Sequence, residues 1–277
     1  MKKVTLYFLA ASMIAISCSK DKPGSGPEEN NGPDIETPST GESGTFPTKI
    51  VLVAGSETTT YNISYLPNSN KIEKIDKGNA GLETFEYEGD LIKKIAYGNS
   101  DGNYRKYEYS NNQLSRETYY NNGQPGEKNE YTYPSEKKVT MTNYEYNNGV
   151  WTKGGTFNLE FDSKGNLIKG SGGATEMNEM AINLSYDLDK SSPILNITGW
   201  QKANLTGGVI IGDNVDISDL LGRRNNPTQT SLAMLGEDPL VLNYSYEYTD
   251  SRHPTFPTKI TGKNGDNPVF TATITYR

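Results

Sequence analysis

Apolar and polar residues alternate with a period of two along most of the chain after residue 45. An apolar residue and an aromatic residue stand two positions apart, a turn follows, and a second apolar run comes after the turn. This period predicts β-strands with one face turned to a core, because successive side chains of a strand point to opposite faces. The eight pairs are Ile63/Tyr65, Phe85/Tyr87, Tyr107/Tyr109, Tyr131/Tyr133, Leu159/Phe161, Leu184/Tyr186, Tyr246/Tyr248 and Ile274/Tyr276.

Residues suited to tight turns separate the alternating runs. Residues 88–90, 110–112 and 163–166 each contain glycine or asparagine, and both residue types accept the positive φ that hairpin turns require. Similar turns between the units give each unit two strands, so eight units imply about 14–16 strands, more than an open twisted sheet usually carries. We therefore predict an all-β fold, an antiparallel meander of repeated hairpins curled into a soluble barrel-like sheet with a short helical insertion.

The residues between the aromatics bear on whether such a barrel crosses a membrane. Glu86 and Glu88 flank Tyr87, and Lys106 and Glu108 stand beside the next pair. A lipid-facing band must be apolar, since a Lys or Arg at the bilayer midplane costs about 2–4 kcal/mol. The pattern predicts aromatics inside and a charged outer face in water.

Residues 199–240 break the rhythm and predict an insertion. Ile217, Leu220 and Leu221 share one helical face, Asp216 can cap its start and Gly222 can end it. Residues 231–236 read as a second short helical turn. We expect these helices to cover an open end or edge of the sheet.

The start of the chain has the pattern of an export signal. Lys2 and Lys3 precede a short apolar stretch, too short to span a bilayer, which ends in Ser17 and Cys18. Small residues directly before a cysteine resemble the lipobox of bacterial lipoproteins, which implies an acylated Cys18 as the first mature residue. Ala15 stands where that family usually has leucine.

A Gly- and Pro-rich segment follows the cysteine and predicts a flexible tether, because it cannot bury enough apolar surface to order itself. As a random coil its 27 residues would reach about 30 Å. The predicted organisation is a signal peptide over 1–17, a lipidated disordered tether over 18–45, and one β-meander or barrel domain over 46–277. The protein would lie in the cell envelope, held at the outer membrane by its lipid, with the membrane face left open.

Composition narrows the classes of partner. Nineteen tyrosines against seven phenylalanines suit half-buried sheet surfaces. The net charge of −7 and the absence of a basic run argue against nucleic-acid binding, which depends on Lys and Arg replacing phosphate counterions. The single cysteine excludes a disulfide within the chain.

With these features the chain resembles a family of lipoproteins of unknown function from Bacteroidetes-type bacteria. The resemblance rests on residues 46–50 (FPTKI), echoed at 256–260, on hairpin units such as residues 161–169, and on residues 220–227 of the insertion. It implies a lipobox leader, a tether and a porin-like antiparallel meander over most of residues 45–277. It implies no assigned activity.

Candidate catalytic groups are few. His253 is the only histidine and stands in a loop before Pro254, so we read it as a loop residue rather than the base of a nucleophilic site. Too few His and Cys residues are present for a zinc site. The carboxylate pairs Glu86/Glu88 and Asp187/Asp189 could serve glycoside hydrolysis, but their alternation with core residues favours a solvated outer face.

The insertion holds two further motifs, both weak. Residues 213–216 could offer oxygens to calcium, yet the EF-hand spacing and terminal Glu are missing, so helix capping is the better account. Residues 207–212 are glycine-rich but lack the Lys-Ser/Thr ending of a phosphate loop. We predict no cofactor and no metal site.

Three functions remain open at this point. The first is a noncatalytic envelope lipoprotein that acts as a structural or interaction module, with a membrane contact through its lipid and an envelope protein or glycan as possible partner. The second is a binding module for a glycan or amphipathic ligand in an aromatic-lined barrel interior. The third is a hydrolase that uses two facing carboxylates.

Overall fold

The computed structural model describes residues 44–98, 102–173, 179–206, 223–234 and 236–277. These contain sixteen strands, one 3-10 turn at Gly78–Ala80 and one short helix, α1, at Trp200–Ala203. The strands are β1 (Pro47–Ala54), β2 (Glu57–Tyr65), β3 (Ile72–Asp76), β4 (Leu82–Glu88), β5 (Leu91–Tyr97), β6 (Tyr104–Ser110), β7 (Gln113–Asn121), β8 (Gln124–Ser135), β9 (Lys138–Asn147), β10 (Val150–Phe161), β11 (Leu167–Gly173), β12 (Met180–Ser191), β13 (Asn225–Met234), β14 (Leu240–Glu247), β15 (Lys259–Asn264) and β16 (Asn267–Tyr276).

The sixteen strands form a closed antiparallel barrel in which each strand pairs with its neighbours in sequence. Closure comes from pairing of the first strand with the last, with Ile50 opposite Ile274. Two backbone hydrogen bonds extend this pairing: Phe46 N–H to the Arg277 carbonyl at 3.3 Å, and Arg277 N–H to the Phe46 carbonyl at 3.0 Å. The predicted meander, its closure and its strand number are confirmed.

Side chains alternate between the lumen and the outer surface as the period of two requires. Phe85 and Tyr107 are buried in the lumen, and Tyr109 packs against the same core. Glu86 and Lys94 lie outside and form an ion pair at 2.9 Å. Tyr87 and Tyr133 also pack against the core, so the predicted orientation of the aromatics is confirmed.

The turns use the residues that the sequence places there. Asn111 and Asn112, between β6 and β7, have φ values of 50° and 63°. Gly89, between β4 and β5, has a φ of 55°. These left-handed conformations match the twist of paired strands in tight hairpins, which explains the asparagine and glycine in each turn.

The two ends of the barrel differ. At the end where the even-numbered strands finish, the described residues between β12 and β13 pack against the lumen. We call residues 192–206 with Arg223 the plug, and this end the plug end. Trp200 of α1 contacts the Phe85 ring at 5.9 Å between centroids, and Thr198 N–H donates to the Asn70 carbonyl at 3.1 Å. The opposite end, which has the β1–β2 and β7–β8 turns, we call the mouth.

The insertion differs from the sequence prediction in two ways. The segment between β12 and β13 is residues 192–224, and α1 lies earlier than the predicted helices. Residues 231–234, predicted as a helical turn, are the end of β13, where they pair with β12 and β14. That prediction is wrong, because two neighbouring strands offer the segment more hydrogen bonds than an isolated turn. The predicted helix with Ile217, Leu220 and Leu221 lies outside the described residues.

No helix in the described ranges has the length and apolar content needed to cross a membrane.

Candidate functional site

The repeated aromatics clamp neighbouring strands at the plug end. On six even-numbered strands a tyrosine hydroxyl donates a hydrogen bond to a backbone carbonyl near the start of the preceding strand. The lengths lie between 2.5 and 2.9 Å. The six pairs are Tyr65 to Pro47, Tyr109 to Ile92, Tyr133 to Leu114, Tyr186 to Leu167, Tyr246 to Pro227 and Tyr276 to Pro257.

The clamps revise one of the predicted aromatic pairs. On β14 the clamping residue is Tyr246, and Tyr244 is the buried partner two positions before it. The sequence pattern instead paired Tyr246 with Tyr248, whose hydroxyl accepts a hydrogen bond from the Asn226 amide at 3.1 Å. On β10 the corresponding residue is Phe161, which has no hydroxyl, and its ring contacts the Arg223 guanidinium at 4.9 Å.

Burial of the clamping hydroxyls perturbs their ionisation. Burial raises the pKa of Tyr133 to about 12 and raises the pKa of Tyr109 above its ordinary value. Burial also raises the pKa of Tyr186, partly opposed by the positive charge of Arg223. The neutral hydroxyl is therefore the form that the folded barrel favours, as a hydrogen-bond donor must be.

Arg223 fixes the plug to the barrel. Its side chain is 1% exposed and donates to the Gly165 carbonyl at 2.9 Å and to the Gln201 carbonyl at 2.8 Å. Burial lowers the pKa of this guanidinium to about 10. The contacts join the β10–β11 turn to α1 and so hold α1 against this end of the barrel.

The mouth half of the lumen is polar on the wall formed by β3 to β9. Lys77 pairs with Glu83 at 2.8 Å, and Arg105 lies 3.7 Å from Glu117. Glu83 and Glu117 side chains are each 12% exposed, whereas Arg105 is 42% exposed although its strand position faces the lumen. The Arg105 side chain is therefore only partly covered, although it stands on the lumen face of its strand.

Glu117 is the hub of a hydrogen-bond network across three strands, β7, β8 and β9. It accepts hydrogen bonds from the Asn129 amide at 2.7 Å and from the Tyr131 hydroxyl at 2.8 Å. Asn129 in turn accepts from the Asn143 amide at 3.0 Å. Such linked bonds hold each polar group in one orientation.

A second row of lumen-facing side chains crosses β6 to β9 one step nearer the mouth than this network. Arg105 is opposite Tyr119, Tyr119 is opposite Glu127, and Glu127 is opposite Glu145. The Tyr97 ring lies 6.4 Å from the Tyr119 ring between centroids. Burial raises the pKa of Tyr97, which the Arg105 charge partly opposes.

A small pocket lies within this row. Its volume is about 30 Å³, roughly that of one water molecule in the liquid. The lining residues are Arg105, Glu117, Tyr119, Glu127, Lys128 and Asn129. We call Arg105, Tyr119, Glu127, Asn129 and the hub Glu117 the mouth cluster, and it is the candidate functional site.

Sequence reasoning missed this cluster. Arg105 is followed by Lys106 and Glu127 by Lys128, so alternation of apolar and polar residues does not show which of these side chains enter the lumen. The only signal is that each residue lies an even number of positions from a buried tyrosine on its strand, which places both on the same face of the sheet. Arg105 is two residues from Tyr107, and Glu127 is four residues from Tyr131.

The outer surface near the mouth also carries aromatics that the sequence prediction assigned to charged residues. Tyr104 and Tyr120 stack at 4.4 Å, and Tyr146 lies 4.9 Å from Trp151. The Lys128 ammonium lies over the Trp151 ring at 4.9 Å. Charged and aromatic side chains cover one another here, which limits the exposed apolar area.

The carboxylates singled out from the sequence lie apart from the mouth cluster. Glu86 and Glu88 form ion pairs with Lys94 and Lys93 at 2.9 and 2.7 Å. The Asp187 carboxylate accepts a hydrogen bond from the Asp189 backbone N–H at 3.1 Å. Neither pair faces a cleft.

His253 lies in the turn region between β14 and β15, as predicted. Its Nδ1 is 2.7 Å from the Thr45 hydroxyl, and its ring is 5.7 Å from the Tyr276 ring. The histidine thus ties the start of the domain to the plug end. Cys18, the calcium candidate at 213–216 and the glycine-rich residues 207–212 lie outside the described residues.

Within the ranges that the structure describes, no group of three or more His, Cys, Asp or Glu side chains could hold a metal ion.

The fold defines this chain as a sixteen-stranded antiparallel barrel with a plug at one end and a polar mouth at the other. It is similar to the structure of a porin-like protein from Bacteroides vulgatus ATCC 8482, with 16% sequence identity, a TM-score of 0.56, and coverage of 84% of this chain and 99% of that chain. It is also similar to a porin-like protein from Bacteroides uniformis ATCC 8492, with 14% identity, a TM-score of 0.53, and coverage of 83% and 96%. The predicted porin-like fold is confirmed.

No protein-family model and no curated protein matches the sequence.

Proposed function

We propose that this protein is a noncatalytic cell-envelope lipoprotein whose barrel is a structural or interaction module. The observation that carries the proposal is the use of the aromatic repeat: six tyrosine hydroxyls bind backbone carbonyls at the plug end. Tyrosines that hold neighbouring strands together in this way make the barrel rigid. A role as a stable binding or structural surface therefore fits this barrel better than a catalytic role.

The leader supports attachment to a membrane through Cys18. The described domain begins at the plug end, where Phe46 is bonded to Arg277, so the tether would join the barrel there. The mouth lies at the other end of the barrel, away from this junction. We therefore take the mouth as the surface offered to partners.

The hydrolase alternative gains no support from the carboxylates of the lumen. Glu127 and Glu145 are directly opposite each other on adjacent strands. They stand side by side on one wall, whereas glycosidase carboxylates flank the scissile bond from two sides.

The glycan alternative survives in a changed form. The clamping tyrosines at the plug end pack against the core, so they leave no open aromatic-lined cavity there. Ring surface that a ligand could reach lies at the mouth, on half-buried Tyr97 and Tyr119.

Replacement of Cys18 by alanine tests the lipoprotein assignment. Cells that express the natural chain or the variant are fed an alkyne-tagged fatty acid and separated into membrane and aqueous fractions. We expect label and membrane attachment for the natural chain, and loss of both for Cys18→Ala.

Ser19→Ala is the matched control and should behave as the natural chain. An unlabelled natural chain, or a Cys18→Ala variant that stays fully membrane-bound, would contradict the assignment.

A further inference from the structure

We propose that the mouth cluster is a carbohydrate-binding subsite that takes one uncharged sugar ring over Tyr119, with Arg105 and Glu127 bonded to hydroxyls on either side. This inference deepens the proposed function and rests on its interaction role, because it names the ligand class for the mouth.

The register of three strands supplies the geometry. Arg105 on β6, Tyr119 on β7 and Glu127 on β8 stand directly opposite one another in one row. Adjacent strands lie about 5 Å apart, so the two charged groups flank the tyrosine ring at about one strand spacing on each side. A pyranose ring that stacks on Tyr119 would place its opposite edges next to these two groups.

The donor and acceptor types match a sugar. A hydroxyl donates one hydrogen bond and accepts others, so a ring of hydroxyls needs both kinds of partner. Arg105 only donates, and ionised Glu127 only accepts. Asn129 faces the lumen one row deeper and can both donate and accept. One of its N–H groups already donates to Glu117 and its oxygen accepts from Asn143, so one N–H and one oxygen lone pair remain for a ligand.

The network beneath the row holds it in position before any ligand arrives. Glu117 lies 3.7 Å from Arg105 and fixes Asn129 and Tyr131 by hydrogen bonds. Groups already fixed lose little freedom when a ligand binds, which favours affinity. The pocket of about 30 Å³ in the row has room for a single hydroxyl rather than a ring. The sugar would lie across the opening.

Charge selects among sugars. Four carboxylates face this part of the lumen, at Glu83, Glu117, Glu127 and Glu145, against the cations Lys77 and Arg105. Lys128 also lines the pocket, but its ammonium is paired with Glu130 on the outer surface at 2.7 Å. Like charges directly opposite each other, as at Glu127 and Glu145, destabilise a sheet, and a hydroxyl that donates between them would offset that repulsion. The same excess of negative charge repels uronic acids.

The test is binding of defined disaccharides to the purified full chain. Maltose, cellobiose, lactose and N,N′-diacetylchitobiose are examined by saturation-transfer NMR, and those that bind are titrated by calorimetry. A disaccharide that contains glucuronic acid and the polyamine spermidine are tested in parallel. We expect at least one neutral disaccharide to bind and the acidic one not to bind.

Tyr119→Ala should weaken the binding by about tenfold or more, the effect of losing a ring-stacking contact. Tyr120→Ala is the matched control, since Tyr120 is the next residue but stacks on Tyr104 outside the barrel. Glu127→Gln, at an exposed side chain, removes an acceptor charge without altering the fold and should also weaken binding.

Three results would overturn the subsite: no binding by any neutral disaccharide, equal losses in the Tyr119 and Tyr120 variants, or binding of spermidine alone. The last would make the cluster an amine site. Each leaves the fatty-acid labelling of Cys18 unchanged, so failure of the subsite and failure of the lipoprotein assignment are told apart.

Discussion

The hydroxyl of Tyr109, near the end of β6, donates a hydrogen bond of 2.9 Å to the carbonyl of Ile92, near the start of β5. The same relationship recurs between neighbouring strands around the plug end. Each bond fixes the distance between two strands at a point far from the turn that joins them, so the repeat pins the register of the barrel.

Tyr109→Phe tests the clamp because it removes the hydroxyl and keeps the ring. The variant loses the hydrogen bond and leaves the Ile92 carbonyl next to an apolar ring, which should lower the free energy of unfolding by about 0.5–1.5 kcal/mol. Urea unfolding followed by circular dichroism measures this. Tyr120→Phe on the outer surface is the control, and an equal loss there would refute the clamp.

Arg223→Met tests the attachment of the plug. Methionine fills much of the same volume but leaves the carbonyls of Gly165 and Gln201 without a donor, at a cost of about 1–3 kcal/mol each. Urea unfolding should show a large loss of stability, and Trp200 fluorescence should shift as the plug loosens.

Arg116→Met is the control for that variant, because Arg116 forms its ion pairs with Glu108 and Glu130 on the outer surface. Exposed pairs contribute about 0–1 kcal/mol. A similar loss in both variants would mean that Arg223 has no special part in the plug.

Gly262→Ala tests the close packing of β15 and β16. A Cβ at Gly262 would collide with the Phe270 ring on the neighbouring strand. Overpacking of this kind costs about 1–3 kcal/mol. The double variant Gly262→Ala/Phe270→Leu should lose less than the sum of the two single changes, since the smaller side chain makes room. Additive losses in thermal unfolding would contradict the contact.

Alkaline pH should unfold the barrel. The pKa of Tyr133 and that of Tyr248 are each raised to about 12, from an ordinary value near 10, mainly by burial. Between these values the unfolded chain releases protons that the folded chain keeps, so stability is fully present below pH 10 and falls as pH rises toward 12. Absorbance of tyrosinate and circular dichroism should change together in this window. Complete ionisation with an intact barrel would contradict the burial.

The strands and the inward aromatics could be predicted because local rules decide them. The alternation around Tyr107 predicts the face of the strand that is buried, and the asparagines at 111 and 112 predict the left-handed turn that follows. A resemblance in hairpin units then pointed to the barrel that the structure has.

Other features depend on contacts that sequence patterns do not carry. Tyr246 and Tyr248 have the same spacing as the other aromatic pairs. Only the hydrogen bond from Tyr246 to the Pro227 carbonyl shows that the true pair on β14 lies two residues earlier, at Tyr244 and Tyr246. Residues 231–234 are a short apolar run, for which helix and strand cannot be separated by period alone. The mouth cluster needed the strand register, because Arg105 and Lys106 are both polar and parity decides which enters the lumen.

Closure through β1 and β16 sets a condition on how the barrel assembles. The partner of the first strand is β16, the last strand of the barrel, so the edge of β1 stays open until β16 has been made. An open edge recruits strands from other molecules. Export as an unfolded chain, or a holdase that shields β1, would keep newly made copies from exchanging strands before each barrel can seal itself.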